Sequence, residues 1–199
     1  MAQFISPAAL GALITTRLDP EPTAPLVVAL DGRCGSGKTT LAAALRAQFP
    51  ACSLLHTDDF YLPPSQRVEN WQQIPCANMD LARLCREVLE PACAGQSCLY
   101  RSYSCREGSY LPAWQLLPQP LVILEGSYSH HPLLAQYESL RVFVTCSKAE
   151  QTYRLQAREG ERYPAFAARW IPLEEGYFAQ YGIEAAADFV VDTTAGGTI

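Results

Sequence analysis

The segment Gly32-Arg33-Cys34-Gly35-Ser36-Gly37-Lys38-Thr39 constrains the fold of this chain more than any other. Its spacing, G-x-x-x-x-G-K-[ST], is that of a phosphate-binding loop. The apolar run of residues 25–30 precedes it and the alanine-rich segment 38–49 follows, so the pattern lies between a predicted buried strand and a predicted helix. The glycines allow backbone N–H groups to converge on phosphate oxygens, and the helix N-terminus adds its positive end. We therefore expect this loop to bind a nucleotide.

Two side chains of the loop have predicted roles in binding ATP and Mg²⁺. We expect Lys38 to reach the β- and γ-phosphates and the Thr39 hydroxyl to ligate the metal. Further nucleotide contacts are predicted at Gly32, Cys34, Gly35, Ser36, Gly37 and Thr40. A positive helix end would lower the pKa of the Cys34 thiol, so that oxidation would block ATP binding, although a small tolerated loop residue is the favoured interpretation of Cys34. A glycine-rich turn without a ligand is the alternative for the loop as a whole.

The rest of the chain alternates between strand and helix patterns. Four more apolar segments, rich in valine and leucine, lie at 52–57, 120–126, 140–146 and 187–193. A helix is predicted at the N-terminus, with Ser6 as its cap and Pro7 at its first position, and another begins at Ser147 with Glu150 three residues on. Strands that alternate with helices predict an α/β fold with a five-stranded parallel sheet.

Length and composition predict one domain over residues 1–199 and exclude several kinds of partner. The net charge of −5 argues against nucleic acid or an anionic membrane as the main partner, and no apolar run approaches the ~20 residues of a membrane span. The eight cysteines include no C-x-x-C pair, which makes a structural zinc site unexpected. The N-terminal segment lacks the basic region of an export signal, so we expect reduced thiols in a cytoplasmic protein. The sequence does not specify an oligomeric state, and a homo-oligomer is compatible with it. Residues 61–120, rich in prolines and aromatics, are predicted to be an insertion over one end of the sheet.

Late in the chain, four arginines suggest chemistry on phosphates. They are Arg154, Arg158, Arg162 and Arg169. Arg154 and Arg158 stand four residues apart and therefore share one helix face. The chain lacks the N-K-x-D segment that reads guanine, and arginines stabilise the charge that develops during phosphoryl transfer. A kinase of small metabolites is favoured, with a solvated basic helix face as the alternative.

Four segments together resemble the uridine kinase-like family of P-loop kinases, which is related to phosphoribulokinase and pantothenate kinase. They are GRCGSGKTT, TDDFY, LVILEGSYS, and RLQAR followed by WIPLEEGYF, and they span about residues 26–192. The resemblance implies a P-loop NTPase fold with helices on both sides of the sheet. It also implies an acceptor-binding insertion at 61–120 and an arginine lid at 148–171.

The resemblance also assigns roles to individual residues. It implies that Asp58 is the base that deprotonates the acceptor hydroxyl and that Glu125 organises Mg²⁺. Arg154 and Arg158 match the lid arginines that clamp the phosphates, and Arg162 fits that pattern less closely. Asp59 falls where the family often has Ser or Gly, and we expect it to cap the turn that follows or to bind a backbone N–H.

The acceptor is the least specified part of the prediction. Uridine kinases carry an aromatic-Asp-x-Pro segment whose aspartate holds the ribose, whereas here Gln72 stands in that place, with one more residue before Pro75. Acceptor contacts are predicted at Asp58, Tyr61, Tyr103, Arg106, Glu125 and His130. The expected function is ATP-dependent transfer of the γ-phosphoryl group to a hydroxyl of a small metabolite, with a nucleoside such as uridine as one candidate. The alternatives are a non-catalytic ATP-binding regulator and a kinase of a vitamin-like alcohol, a sugar, an antibiotic or a protein.

Overall fold

A parallel sheet with helices on both faces forms the centre of the molecule. The computed structural model describes residues 2–19 and 23–194. The strands in chain order are β1 (Gln3–Phe4), β2 (Leu26–Gly32), β3 (Cys52–His56), β4 (Cys98–Tyr100), β5 (Tyr103–Ser104), β6 (Ser109–Tyr110), β7 (Trp114–Leu116), β8 (Leu121–Glu125), β9 (Leu140–Thr145) and β10 (Phe189–Asp192). Six of them form one sheet in the order β1-β10-β9-β2-β8-β3, and every pairing in it is parallel.

The predicted α/β class and parallel sheet are confirmed, but the predicted count of five strands is wrong by one. The additional strand is β1, whose two residues pair with Phe189 and Val190 at the edge of the sheet. The backbone N–H of Ile5 donates to the carbonyl of Val190 over 2.9 Å. Two residues are too few to show an alternating pattern, so nothing in the local sequence predicts this strand.

The helices in chain order are α1 (Pro7–Arg17), α2 (Lys38–Gln48), α3 (Leu81–Leu84), α4 (Glu90–Cys93), α5 (Lys148–Glu159), α6 (Tyr163–Tyr181) and α7 (Ile183–Ala186). The predicted caps are confirmed, since Ser6 accepts from the Ala9 N–H and Ser147 from the Glu150 N–H. A π-helical turn, Cys85–Leu89, joins α3 to α4 directly before Pro91. A wider turn relieves the clash that a proline ring makes with the carbonyl four residues earlier.

Two apolar clusters lie on opposite faces of the sheet. Val27 and Val28 of β2 point to opposite faces, as alternation along a strand requires. One cluster contains Leu84 of α3 and Tyr177 of α6, and the other contains residues of α1 and α2 such as Leu41. The sheet is therefore the middle of three layers, which explains why its strands read as continuous apolar runs.

Parallel pairing brings the functional segments to one edge of the sheet. Gly32, His56 and Glu125 end β2, β3 and β8, three neighbouring strands. The backbone of Gly32 has φ = 139°, and a Cβ there would overlap the carbonyl oxygen of Val144, so this position requires glycine. Ligands of open α/β sheets bind at this carboxyl edge.

Residues 61–120 contain short elements besides the helical segment of α3 and α4. β4 pairs with β7 and β5 with β6, both antiparallel, and Pro64–Gln66 and Trp71–Gln73 form single 3₁₀ turns. In the part of the chain that the structure describes, no helix has the length and apolarity needed to cross a bilayer.

Candidate active site

A cavity of about 600 Å³ opens above the glycine-rich loop, and we call it the phosphate cavity. Its lining comprises Cys34, Gly35, Gly37, Lys38, Thr39, Thr40, Asp58, Tyr61, Glu125, Gly126, Ser127, Tyr128, Arg154, Arg158, Phe166, Trp170 and Glu174. Lys38 is the first residue of α2, and Gly37 precedes it with φ = 91°. The Lys38 ammonium donates to the carbonyls of Gly32 (2.6 Å) and Arg33 (3.0 Å), which fixes the cation inside the loop. The loop thus presents a helix N-terminus and a buried cation to the same space.

The carboxylate of Glu125 lies between a hydroxyl and an imidazole. Its oxygens are 3.4 and 3.5 Å from Oγ1 of Thr39, and its Oε1 is 2.5 Å from Nδ1 of His56. The hydrogen bond to Glu125 raises the pKa of His56 against the opposing effect of burial. A hydroxyl and a carboxylate facing one cavity fit Mg²⁺, which takes few protein ligands and keeps waters and phosphate oxygens as the others. Within the described residues, no cluster of three or more His, Cys, Asp or Glu side chains forms a denser metal site.

The two adjacent aspartates of the DDFY segment have different surroundings. Asp58 lines the phosphate cavity and accepts from the hydroxyl of Tyr61 over 3.1 Å. Asp59 instead accepts from the hydroxyl of Tyr100 over 2.6 Å, and that same hydroxyl accepts from the backbone N–H of His56. Asp59 therefore anchors the insertion to β3, and Asp58 is the carboxylate that faces the cavity.

The walls around Asp58 raise its pKa. The shift comes mainly from loss of hydration, which outweighs the hydrogen bond from Tyr61; Glu125 adds like-charge repulsion that also raises it. The side chain stays accessible from the cavity, so it can exchange protons with a bound ligand. A carboxylate with a raised pKa is a stronger base than an ordinary aspartate, and this suits a group that accepts a hydroxyl proton.

A second space of about 350 Å³, which we call the side cavity, shares Tyr61 and Trp170 with the phosphate cavity. Its other lining residues come from the insertion and from α6: Pro64, Arg67, Trp71, Asn78, Tyr103, Cys105, Gly108 and Arg169. The rings of Trp71 and Trp170 lie 5.9 Å apart, so the insertion and α6 meet at this point. The side cavity thus lies next to the carboxylate of Asp58.

The arginines predicted to form a lid differ in how many hydrogen bonds and ion pairs they already make. Arg154 donates to the side-chain and backbone oxygens of Thr193, each over 2.8 Å, and its guanidinium lies 3.4 Å from the carbonyl oxygen of Gly35. It therefore connects α5 to the glycine-rich loop and to the residue that follows β10. Arg158 lines the phosphate cavity and stacks on Phe166, with its Nε bonded to Glu159. Arg162 is 81% exposed and does not line the cavity. Of these three arginines, Arg158 is therefore the one that lines the phosphate cavity with the fewest hydrogen bonds to the rest of the protein.

Several predicted site residues lie away from both cavities. Arg106 is exposed at the tip of the β5–β6 hairpin. His130 is 5% exposed, and its Nε2 lies 3.1 Å from the carbonyl oxygen of Ala29 in β2. Gly32 and Ser36 belong to the loop but not to the lining of the phosphate cavity, and Gln72 is exposed while its neighbour Trp71 lines the side cavity.

The structure places Glu174 in the phosphate cavity, a residue that the motifs did not single out for a role. Its Oε2 accepts from the backbone N–H of Cys34 over 2.9 Å and its Oε1 from the hydroxyl of Ser127, although the side chain is 5% exposed. α6 is thereby fastened to the phosphate loop. The only sequence signal was its place in the WIPLEEGYF segment.

Cys34 does not have the lowered thiol pKa that its position suggested. Burial raises the pKa well above the ordinary value, and the carboxylate of Glu174 raises it further. The positive helix end is outweighed because the thiol lies in a dry site beside a negative charge. The interpretation as a small tolerated loop residue fits this site, and a reactive thiol does not.

The segment after β8 holds a strained backbone at the cavity. Tyr128 has φ = 75° and is 3% exposed, and no hydrogen bond to its hydroxyl is found among the described residues. A Cβ at Gly126 would overlap the Thr57 hydroxyl, so the turn requires glycine there. A non-glycine residue in the left-handed region persists only where the surrounding structure imposes it, and such residues are concentrated at functional sites.

These features define a parallel α/β fold with a glycine-rich loop of the phosphate-binding type at the carboxyl edge of its sheet. The chain superimposes with a TM-score of 0.70 on a possible uridine kinase from Bacillus stearothermophilus, at 19% identity and with 91% of this chain and 96% of that chain covered. A candidate fructose transport system kinase from a Silicibacter species gives 0.72 at 23% identity (94% and 98% covered), and D-glycerate 3-kinase from Cryptococcus neoformans gives 0.58 at 18% (94% and 92%). The resemblance to uridine kinase-like P-loop kinases is thus confirmed for the fold.

Sequence comparison points to a related kinase. The chain is 28% identical over 141 residues to human nicotinamide riboside kinase 2, an alignment that covers 67% of this chain and 57% of that protein. No protein-family model matches the chain.

Proposed function

We propose that the protein is an ATP-dependent kinase that transfers the γ-phosphoryl group to a hydroxyl of a small metabolite. The observation that carries the proposal is that Asp58 lines the same cavity as Lys38, Thr39 and Glu125. A candidate base, a phosphate-binding cation and a metal-binding pair thus share one space. The relatives named above are kinases of small hydroxyl compounds, which supports the same class of reaction.

In the proposed reaction, Asp58 accepts the proton of the acceptor hydroxyl. The hydroxyl oxygen forms a bond to the γ-phosphorus while the bond from that phosphorus to the bridging oxygen breaks, and ADP leaves with the electron pair. The Tyr61 hydroxyl, 3.1 Å from Oδ1 of Asp58, restrains the carboxylate, and Tyr61 itself lines both cavities. Positioning of this kind supplies much of the rate in phosphoryl transfer.

Cations around the phosphates stabilise the charge of the transition state. Lys38 and Arg158 are the side chains placed to do this, and Thr39 and Glu125 would hold Mg²⁺, which neutralises phosphate charge when bound. His56 acts on Glu125 and not on the substrate, since its Nδ1 bonds the carboxylate and keeps it turned toward Thr39.

The acceptor is proposed to enter the side cavity. Candidates for a first screen are the compounds in the names of the relatives, namely uridine, nicotinamide riboside, fructose and D-glycerate, together with vitamin-like alcohols. The screen measures ADP release in a coupled assay with Mg·ATP. Because Gln72 is exposed, recognition of ribose by the residue at this position is not expected.

The decisive variants are Asp58→Asn and Asp59→Asn, which make the same change at neighbouring positions. Asp58→Asn should keep Mg·ATP affinity and lose turnover by about 10²–10⁴-fold, the range of general-base contributions. Asp59→Asn keeps an acceptor oxygen for Tyr100 and should retain turnover within about threefold, with a stability loss of about 1 kcal/mol.

Equal turnover in the wild type and Asp58→Asn would exclude Asp58 as the base. Mg·ATP binding without transfer to any acceptor would favour the alternative, a regulator that uses ATP to set its conformation. Calorimetry with a non-hydrolysable ATP analogue separates these outcomes from loss of nucleotide binding.

A further inference from the structure

The residues that line the side cavity carry a net positive charge, although the protein has a net charge of −5. None of the ten residues that line it is acidic, whereas two are arginines, Arg67 and Arg169. Seven of the other eleven arginines, among them Arg33, Arg83 and Arg141, pair with carboxylates, and the other four line neither the phosphate cavity nor the side cavity. In the described residues neither Arg67 nor Arg169 has a carboxylate within ion-pair distance. Two unpaired positive charges therefore converge on one small space beside Asp58.

Arg67 is held in place without using the groups that bind anions. Its Nε donates to the carbonyl of Leu62 over 2.8 Å, and its guanidinium carbon lies 5.0 Å from the centre of the Trp71 ring. Stacking and this single bond restrict the side chain and leave both terminal nitrogens for a ligand. A preorganised guanidinium binds a carboxylate or phosphate at a lower entropic cost than a free one.

Arg169 approaches from the other side of the cavity. It lies on α6 one residue before Trp170, whose ring packs against Trp71. It is exposed, and among the described residues it has no hydrogen-bond or ion-pair partner. An anion in the side cavity would therefore meet one arginine from the insertion and one from the lid region.

Asn78 gives an independent indication of a ligand. It lines the side cavity and is 1% exposed, yet neither Oδ1 nor Nδ2 has a hydrogen-bond partner among the described residues. A buried amide without partners costs free energy, so native structures leave few of them unsatisfied. A polar ligand in the cavity would supply both a donor and an acceptor to this amide.

From these observations we propose that the acceptor carries an anionic group, a carboxylate or a phosphate, which Arg67 and Arg169 bind while Asn78 bonds a neighbouring polar atom. The hydroxyl to be phosphorylated then lies at the Tyr61 end, next to Asp58. The aromatic walls cover the apolar part of a small molecule, and the volume of about 350 Å³ falls in the range of small-ligand pockets. This inference rests on the proposed kinase function and specifies its substrate class.

The test compares matched pairs of acceptors that differ only in charge. D-glycerate against glycerol tests the carboxylate, and fructose 6-phosphate against fructose tests the phosphate. A cationic pyridinium riboside is the opposite-charge probe. In at least one of these two acceptor pairs, kcat/KM for the anionic acceptor should exceed kcat/KM for its neutral partner at least tenfold.

Variants assign the preference to the two arginines. Arg169→Gln should raise KM for the anionic acceptor about tenfold or more, and it should lower kcat/KM for the anionic acceptor at least fivefold more than for the neutral partner. Arg67→Gln should do the same, and Arg67→Lys keeps the charge in case the glutamine variant folds poorly. Arg86→Gln is the matched control, because Arg86 is exposed on the helix of the insertion and lines neither cavity.

A binding measurement separates failure of this inference from failure of the proposed function. Trp71 and Trp170 line the side cavity, so titration of each probe with a non-hydrolysable Mg·ATP analogue present is followed by tryptophan fluorescence. If anions bind through Arg169 without being phosphorylated, the proposed function fails and the anion site stands. If a neutral or cationic acceptor is phosphorylated preferentially, if the variants affect charged and neutral acceptors equally, or if no anion of either arm binds, the inference is overturned.

Discussion

Replacing Tyr177 with Phe tests how α6 is fastened beneath the phosphate loop. Tyr177 is fully buried, and its hydroxyl donates to Oδ2 of Asp31 over 2.8 Å. Asp31 is also fully buried and directly precedes the loop, and its other hydrogen-bond donors are the backbone N–H groups of His130 and Gly32. Burial raises the pKa of Tyr177 far above its usual value, so the hydroxyl remains a donor at any pH at which the protein is folded. The variant therefore removes one hydrogen bond to a buried carboxylate and retains the ring.

The expected loss follows from the charge of the acceptor. Hydrogen bonds to charged groups contribute about 1.5–3 kcal/mol, and a buried carboxylate that loses one of its donors cannot recover it from water. For a domain of about 200 residues each kcal/mol changes Tm by about 2–4 °C, so Tm should fall by about 3–12 °C. With a urea m-value of about 2 kcal/mol/M, the unfolding midpoint should fall by about 0.8–1.5 M.

Equilibrium urea unfolding, followed by far-UV circular dichroism at pH 7, measures this loss. Tyr181→Phe is the matched control, because Tyr181 lies one turn further along α6 and packs against Tyr177, but its hydroxyl has no hydrogen bond among the described residues. The control should change the free energy of unfolding by no more than about 0.5 kcal/mol. If Tyr177→Phe is no more destabilising than Tyr181→Phe, the bond to Asp31 does not fasten α6 and the reasoning is refuted.

Two further variants test the burial of single charges. Burial raises the pKa of Glu138 to about 7 despite the nearby Arg141, so the folded state holds this proton more tightly than the unfolded chain, and its ionisation costs stability as pH rises from about 4.5 to 7. Glu138→Gln should therefore match the wild type at pH 5 and be more stable than it at pH 8, by up to about 3 kcal/mol in urea unfolding, and a variant less stable at pH 8 would contradict this. Lys38→Ala removes the cation held by Gly32 O and Arg33 O, and it should weaken Mg·ATP binding in calorimetry and lower kcat by at least about 100-fold; unchanged affinity would show that Lys38 does not contact the nucleotide.

The parts of the fold that local patterns specify are predicted well from the sequence. The five predicted strands are apolar runs, and β2 and β8 in the middle of the sheet are buried on both faces, which is the condition that produces such runs. The helices that begin at Ser6 and Ser147 carry their caps in the adjacent residues. β1 was missed because its two residues are held by pairing with Phe189 and Val190, nearly the whole length of the chain away.

The candidate site likewise has one part that the sequence predicts and another that it does not, and this difference has a physical cause. The groups proposed to bind phosphates, namely the backbone N–H groups of the loop, Lys38 and Thr39, all belong to one segment, so a contiguous motif can encode them. The side cavity is formed where the segment containing Arg67 and Asn78 meets Arg169 on a helix about a hundred residues later, and no local pattern links them. Gln72 occupies the position of the ribose-binding aspartate in the uridine kinase segment, but in the structure its side chain is exposed. Its neighbour Trp71 lines the side cavity instead. Because the two walls of the side cavity can change independently of the loop, the sequence predicts a phosphate-binding loop, and the side chains proposed to meet the acceptor are found together only in the structure.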